Sequence, residues 1–406
     1  MSVPPLLAHG RLAGLDEIAT VGVDAARGGY SRHVWTPAEF ELREWFVARA
    51  TGLGLDLETD RNGNLWGWWG APGPDAVVTG SHLDSVPGGG AYDGPLGVVS
   101  ALDAVARLQA SGFRPSRPVA VVVFAEEEGS RFGVACLGSR LLSGVTDPDT
   151  ARSLTDADGV TFAEAAAAAG LDPAHLGRDD EALGRIGLFI ELHVEQGRGL
   201  IDLHSPVAVA SSILAHGRWR LRIEGQGNHA GATGMRERRD PVVAAARAVL
   251  AVESAALATS DARATVGRLR LTPGGTNVIA SAVDAWVDAR AASDHATRAL
   301  VADIEARVRE SVAESGCSVV LIEESWSGLV EFDAELAARS ARTLGGIPLL
   351  PTGAGHDAGV LSGSVPTAMV FVRNPTGISH SPEEFAEAAD CIAGVEALES
   401  LLRSVL

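Results

Sequence analysis

Four apolar runs punctuate the chain, and each gives way to polar residues. "DAVVTGSH" ends on His82, "PVAVVVFAEE" on Glu126 and Glu127, "IGLFIELHVEQG" carries Glu191, His193 and Glu195, and "TAMVFVRN" leads to "GISHSPEEF". Short valine-rich runs without alternation read as strands buried on both faces. Between them, "PLGVVSALDAVARLQASG" and "EEFAEAADCIAGVEALESLLRSVL" have the apolar spacing of helices. Strands alternating with helices predict an α/β layered domain with a mostly parallel sheet. The polar residues then fall just past the strands, where open α/β sheets keep their sites.

From about Ser211 to Ser327 the pattern changes. "GRWRLRIEGQG", "ATVGRLRLTPG" and "VDAWVDARAA" alternate like half-buried strands. "DPVVAAARAVLAVESAAL" and "ATRALVADIEARVRESVAES" are helical, the first with Pro241 near its start. Strand, helix, two strands, helix, strand is a small α+β module. The expected organisation is a discontinuous catalytic domain, residues 1–210 and 328–406, with a lid and dimerisation domain of residues 211–327 inserted.

Composition narrows the classes. The 406 residues are 46% hydrophobic and 21% charged, as in a soluble globular protein. A net charge of −19 opposes nucleic acid. Cys136, Cys317 and Cys391 fit no disulfide framework, which points to a reduced cytoplasm. "MSVPPLLAHGRLAGLDEIA" lacks the basic and apolar regions of a secretion signal, and no run of about 18 apolar residues offers to span a membrane.

The chemistry lies at the strand ends. "GSHLDSVPGGGAYDG" brings His82, Asp84 and Asp93 close to a buried strand, where unpaired charge is costly. Glu126, Glu127 and Glu128 repel one another at a strand end unless a cation compensates, or unless they open a helix, whose N-terminus welcomes acids. His193 alternates onto one face with Glu191 and Glu195, and a core histidine would do the same. His380 sits in a turn punctuated by Gly and Pro. His82, Asp93, Glu128, His193 and His380 together form an imidazole–carboxylate set suited to zinc or a similar divalent ion. A carboxylate shared by two cations accounts for Asp93, and Asp84 would hold the other ring nitrogen of a ligand histidine. Trp66, Trp68 and Trp69 in "NLWGWWGAPG" read as indoles packed into the domain in preference to a binding surface.

"GSHLDSVPGGGAYDGPLGV", "EEEGSRF", "ELHVEQG", "NHAGATGMRERRDP", "GGTNVIA" and "GISHSPEE" resemble the di-zinc aminoacylase and carboxypeptidase superfamily. More narrowly they resemble its amidase branch: N-carbamoyl-L-amino-acid hydrolases, β-ureidopropionases and allantoate amidohydrolases. The resemblance covers almost the whole chain. It implies His82, Asp93 and His193 around one metal, and Asp93, Glu128 and His380 around the other. It implies Glu127 as the general base, leaving Glu126 structural. In the lid it implies His229 polarising the scissile carbonyl, with Asn277 and Arg290 on the substrate carboxylate. Gln196 and His356 become further polar contacts. The cofactors implied are two divalent ions, zinc first, with manganese, cobalt or nickel also fitting such ligands. The implied partners are a small ureido or N-carbamoyl carboxylate and a second copy of the chain, paired through the lid. One departure stands out: where the family usually reads HAGTTPM, this chain has Ala232 and Gly234.

The activity implied is hydrolysis of a linear C–N bond in N-carbamoyl L-amino acids to amino acid, carbon dioxide and ammonia. Allantoate hydrolysis is the near alternative; a dipeptidase, a deacylase or a silent binding protein is more remote. No GxSxG elbow supports a serine hydrolase, and the glycines of "GQGNHAG" miss the dinucleotide spacing.

Overall fold

The four apolar runs fold as adjacent strands. In the computed structural model, which describes residues 6–406, Thr367–Val372, Ile186–Val194, Ala76–His82 and Val119–Phe124 lie side by side in that order and pair in parallel. Every residue in them except Gly187 is buried. That is why the sequence shows continuous apolar runs there instead of alternation. The mostly parallel reading holds for this centre. Outside it the sheet is mixed, with Val207–Ile213 antiparallel on one side, and Leu65–Trp69 and then Asp56–Thr59 antiparallel on the other.

Successive side chains point to opposite faces of the sheet. Val77, Val121, Ile190 and Val370 share a core with Leu102 and Val105 of helix Pro95–Ala110 and Leu398 and Leu402 of helix Ala388–Val405. Trp66, Phe124 and Phe189 form a chain of edge-to-face rings with centroids 6.4 and 5.7 Å apart. Trp66 and Trp68 are buried, and their indole N–H groups donate to Asp60 and Glu58. Those two tryptophans build the domain and do not form a binding surface.

The chain divides into two units, Met1–Ser212 with Glu331–Leu406, and Ile213–Val330. Residues 1–5, part of the expected catalytic domain and of the stretch read for a secretion signal, lie outside the described residues.

In the second unit Arg263–Thr272, Ala282–Ala291, Ala215–Glu224 and Ser318–Ser327 form an antiparallel sheet in that order. Trp219, Leu221, Ile223, Val283 and Val287 face helices Pro241–Ala258 and Asp294–Ala313, packing on Ala244, Ala248, Val252, Ile304 and Val308. The alternate positions are polar: Arg220, Arg222 and Arg270 surround the buried carboxylate of Asp284 at 2.8–3.2 Å. Helix Pro241–Ala258, with a mean hydropathy of 1.6, is long and apolar enough to cross a membrane by length and composition. Arg247 and Glu253 interrupt its apolar run. Its alanine face covers the sheet.

Candidate metal centre and active site

The C-terminal ends of the four parallel strands carry the candidate residues. His82 ends its strand, His193 is next to last in its own, the three glutamates follow Phe124, and the loop to His380 follows Val372. Asp93 arrives on the turn before helix Pro95–Ala110, through Gly94 at φ +82°. A Cβ at residue 94 would lie 2.4 Å from the His82 ring, so only glycine lets the helix start there.

Asp93 faces two ways. Its Oδ1 is 3.1 Å from His193 Nε2 and 3.7 Å from His82 Nε2, and those two nitrogens are 3.5 Å apart. Its Oδ2 is 3.5 Å from His380 Nε2, which lies 3.4 Å from Glu128 Oε2. Within each of the sets His82–Asp93–His193 and Asp93–Glu128–His380, the ligand atoms lie within 4.8 Å of one another. The ring orientations suit ligation. His82 Nδ1 is 3.1 Å from the Asp84 carbonyl and His193 Nδ1 is 2.9 Å from the Val194 carbonyl. A carbonyl only accepts, so each Nδ1 carries a proton, and each Nε2, once it has given up its own proton, offers a lone pair to a metal on the Asp93 side. Glu128 Oε1 is buried without a hydrogen-bond partner. Imidazole and carboxylate donors with an unsatisfied oxygen fit divalent cations.

Glu127 stands beside both sets and belongs to neither. Its Oε2 is 3.5 Å from His82 Nε2, and its Oε1 accepts the Cys136 thiol at 3.2 Å. Asp84 does more than expected. His82 Nδ1 meets its backbone carbonyl, with its carboxylate farther off at 3.5 Å. That carboxylate accepts the N–H groups of Glu127 at 3.2 Å and Glu128 at 3.0 Å, pinning the acidic turn. Glu126, at φ +53°, accepts the N–H groups of Arg131 and Phe132 and closes the turn from inside.

Burial pushes Glu127 up to about 7, against the pull of His82 and with the nearby charges of Asp84 and Glu191 adding to it. Burial, then the charges of Asp93 and Glu127, raise Glu128 well above its usual range. Burial opposes charge on both histidines, yet the Asp93 hydrogen bond lifts His193 to about 9 and the acids around His82 raise it well above 6.5. Asp93 is desolvated too, but His193, His380 and His82 hold it well below the ordinary carboxylate value. At neutral pH the metal-free His193 therefore carries protons on both ring nitrogens, and a metal must displace the one on Nε2. Raised values mean that protons leave as pH rises, so metal affinity should climb from pH 6 toward about 9, where His193 titrates. Calorimetry of zinc binding in buffers of different ionisation enthalpy measures the released protons at pH 7. Zero release would contradict this picture.

Gln196 donates from Nε2 to Asp93 Oδ2 at 2.8 Å and lies 3.3 Å from His380 Nε2. His356, expected near the substrate, is buried behind His193 with ring centroids 4.5 Å apart, and its Nε2 is unpartnered. Glu191, His193 and His356 form a third set of metal-binding type. Glu191 is already committed, however, to the Ser81 hydroxyl at 2.8 Å and the Ala358 N–H at 2.9 Å. Glu195 likewise accepts the Leu200 N–H at the start of a short helix. Cys136 gave no signal in the sequence, because nothing in its spacing ties it to Glu127.

The second unit carries the other candidates. His229 pairs with Val278 in a two-residue ladder, and the Ala230 N–H donates to the Asn277 carbonyl at 3.0 Å. His229 Nδ1 accepts the Gly231 N–H at 3.2 Å, so the neutral ring carries its proton on Nε2, free to donate to a carbonyl oxygen. The Arg290 guanidinium grips Asp288 through Nε at 2.7 Å and one terminal nitrogen at 3.0 Å. The fork expected to take a carboxylate thus already holds a protein one, two residues away on the same face. Gly234, at φ −59° and ψ 145°, keeps a backbone that proline also adopts, so the loop retains this shape without the family's usual residue.

Comparison with known proteins finds relatives over nearly the whole chain. The model of peptidase family M20/M25/M40 matches residues 78–404. An N-carbamoyl-L-amino acid amidohydrolase from Geobacillus stearothermophilus is 36% identical over 402 residues, 95% of each chain. The allantoate amidohydrolase of Escherichia coli (strain K12) is 33% identical over 394 residues, again 95% of each. The crystal structure of an amidase of the hydantoinase/carbamoylase family from Burkholderia vietnamiensis superposes with a TM-score of 0.85 at 31% identity, covering 96% of this chain and 95% of that one. The chain belongs to peptidase family M20/M25/M40, a metal-dependent family, and within it to the amidase branch of hydrolases acting on amide or ureido C–N bonds.

Proposed function

We propose that the chain hydrolyses N-carbamoyl (ureido) L-amino acids to the amino acid, carbon dioxide and ammonia, using two divalent ions with zinc as the first choice. The observation that carries this reading is Asp93, whose two oxygens face two separate ligand sets, with Glu127 beside both and part of neither. His82, Asp93 and His193 would hold one ion, and Asp93, Glu128 and His380 the other. Ions held there supply Lewis acidity, which acidifies water and polarises a carbonyl oxygen. Glu127 takes the proton of the attacking water and delivers it to the leaving nitrogen as the C–N bond breaks. His229 donates from Nε2 to the carbamoyl oxygen as negative charge develops on it. Asn277 and Arg290 hold the substrate carboxylate, with Asp288 fixing the direction of the guanidinium, and Gln196 and His356 complete the polar surroundings.

The test is turnover of a panel of N-carbamoyl amino acids and allantoate after chelation and metal add-back. Allantoate turned over in preference to every N-carbamoyl amino acid would move the reading to its runner-up, the activity named for the Escherichia coli relative. No turnover of either class would reject both. In the same assay Arg290→Lys should raise KM for carboxylate substrates, because a point charge cannot replace a planar fork. An equal effect on an amidated substrate would remove Arg290 from that role.

We also propose a homodimer through the second unit, at work in the cytoplasm, where the three unpaired cysteines fit. Arg263–Thr272 is an edge strand of its sheet, which must be covered or paired. On the neighbouring helix, Val243, Leu250 and Leu257 recur every seventh residue and are 47%, 63% and 82% exposed. Such a stripe suits a copy of itself across a two-fold axis. Sedimentation of a lone 41.9 kDa species at micromolar concentration would count against pairing.

A further inference from the structure

The turn carrying Asp93 and the loop carrying His380 are joined by a carboxylate that belongs to neither ligand set. Glu384 is 4% exposed. Its Oε1 accepts the backbone N–H groups of both Tyr92 and Asp93 at 3.0 Å. Its Oε2 is 3.1 Å from the Ser379 hydroxyl, which is also 3.2 Å from Asp93 Oδ2. The Asp93 backbone and one of its carboxylate oxygens are thus both referred to a single side chain. The space for that side chain depends on Gly90, where a Cβ would lie 2.2 Å from Glu384 Oε1. On the other loop His380 has φ +56°, a left-handed conformation that a non-glycine residue holds only when its surroundings impose it. Ser379 precedes His380 directly, so the same carboxylate anchors that backbone.

From this geometry we infer that Glu384 is a positioning residue for the metal centre. It aims the two oxygens of Asp93 at their separate ligand sets and ties the His380 loop to the Asp93 turn. The inference rests on the reading of Asp93 and His380 as ligands. Partners that orient metal ligands typically contribute about 10- to 100-fold in metal affinity.

The experiment is zinc titration by calorimetry on chelator-stripped full-length chain, with thermal unfolding measured alongside. Glu384→Ala should raise the zinc Kd by roughly 10- to 100-fold. Glu384→Gln should stay close to wild type, because its amide oxygen can still accept both N–H groups and its NH2 can donate to Ser379 Oγ, freeing the serine proton for Asp93. A purely structural role would lower Tm and leave Kd unchanged, and that result for Glu384→Ala overturns the inference. So does a Glu384→Gln variant as weak as Glu384→Ala, since charge and not hydrogen-bond geometry would then be responsible. If Glu384→Ala does not fold, Ser379→Ala decides: a raised Kd supports the link and an unchanged one overturns it. Asp93→Asn separates the two levels of the argument. If Asp93→Asn binds both ions as tightly as wild type, the ligand reading itself is wrong. If it loses them while Glu384→Ala does not, only the role of Glu384 falls.

Discussion

Asp93→Ala should lose both metal ions together, and activity with them. Asp93 alone is common to both clusters, with Oδ1 toward His82 and His193 and Oδ2 toward Glu128 and His380. Without it the first cluster keeps two imidazoles and the second keeps Glu128 with a half-exposed His380. Two donors hold a divalent ion far less firmly than three, and the loss falls on both positions because one residue serves both. His380→Ala, by contrast, should empty only the second position, so the two variants differ in stoichiometry and not merely in degree. The fold should survive, since Asp93 sits in a turn outside the strands and the apolar core beneath it is untouched. Metal content after dialysis, read by elemental analysis with circular dichroism as the folding control, decides the matter. An Asp93→Ala protein that keeps one firmly bound ion and substantial turnover would refute the bridging role.

The centre was legible in the sequence for a physical reason. Strands buried on both faces have no alternation to hide in, so His82, the glutamates after Phe124, and His193 stand out against valine and isoleucine. The second unit was legible for the opposite reason. Its strands cover helices on one face only, and the alternation of Ala215–Glu224 and of Ala285–Ala291 records that. What escaped were partnerships between distant or neighbouring groups that no periodicity encodes. Glu384 reaches Tyr92 and Asp93 from nearly the other end of the chain, and its own segment reads as the start of a helix, although the helix begins only at Ala388. Asp84 holds His82 mainly through a backbone carbonyl, which no side-chain pattern announces. Asp288 shows plainly in "VDAWVDAR", but its grip on Arg290 depends on rotamers, not spacing. Asp56–Thr59, at the sheet edge, escaped because it is short and mostly exposed, and the antiparallel pairing of Leu65–Trp69 escaped because its indoles gave no sign of strand direction.

Glu127→Gln should bind metal almost as wild type does while turning over roughly 10² to 10⁴ times more slowly, the usual contribution of a general base. The amide matches the carboxylate in shape, its oxygen can still accept the Cys136 thiol, and Asp84 still pins the backbone at 3.2 Å. Neither ligand set loses a donor, so affinity has no reason to fall. An amide, however, cannot take a proton from the attacking water, and the leaving nitrogen then departs without one. The loss should therefore appear in kcat with KM little changed. Near-normal turnover would disqualify Glu127, and Glu126, already committed to two backbone N–H groups, would have to be reconsidered. The same variant tests the proposed dimer. If His229 acts at the partner's metal centre, subunits bearing only His229→Ala and subunits bearing only Glu127→Gln fail alone for different reasons. In a mixed dimer both lesions then fall on one centre, while the other has an intact Glu127 from its own chain and an intact His229 from its partner. Random exchange should restore up to about a quarter of wild-type activity, since half the dimers are mixed and each has one sound site of two. No recovery, with exchange demonstrated independently, would mean that His229 serves the metals of its own chain.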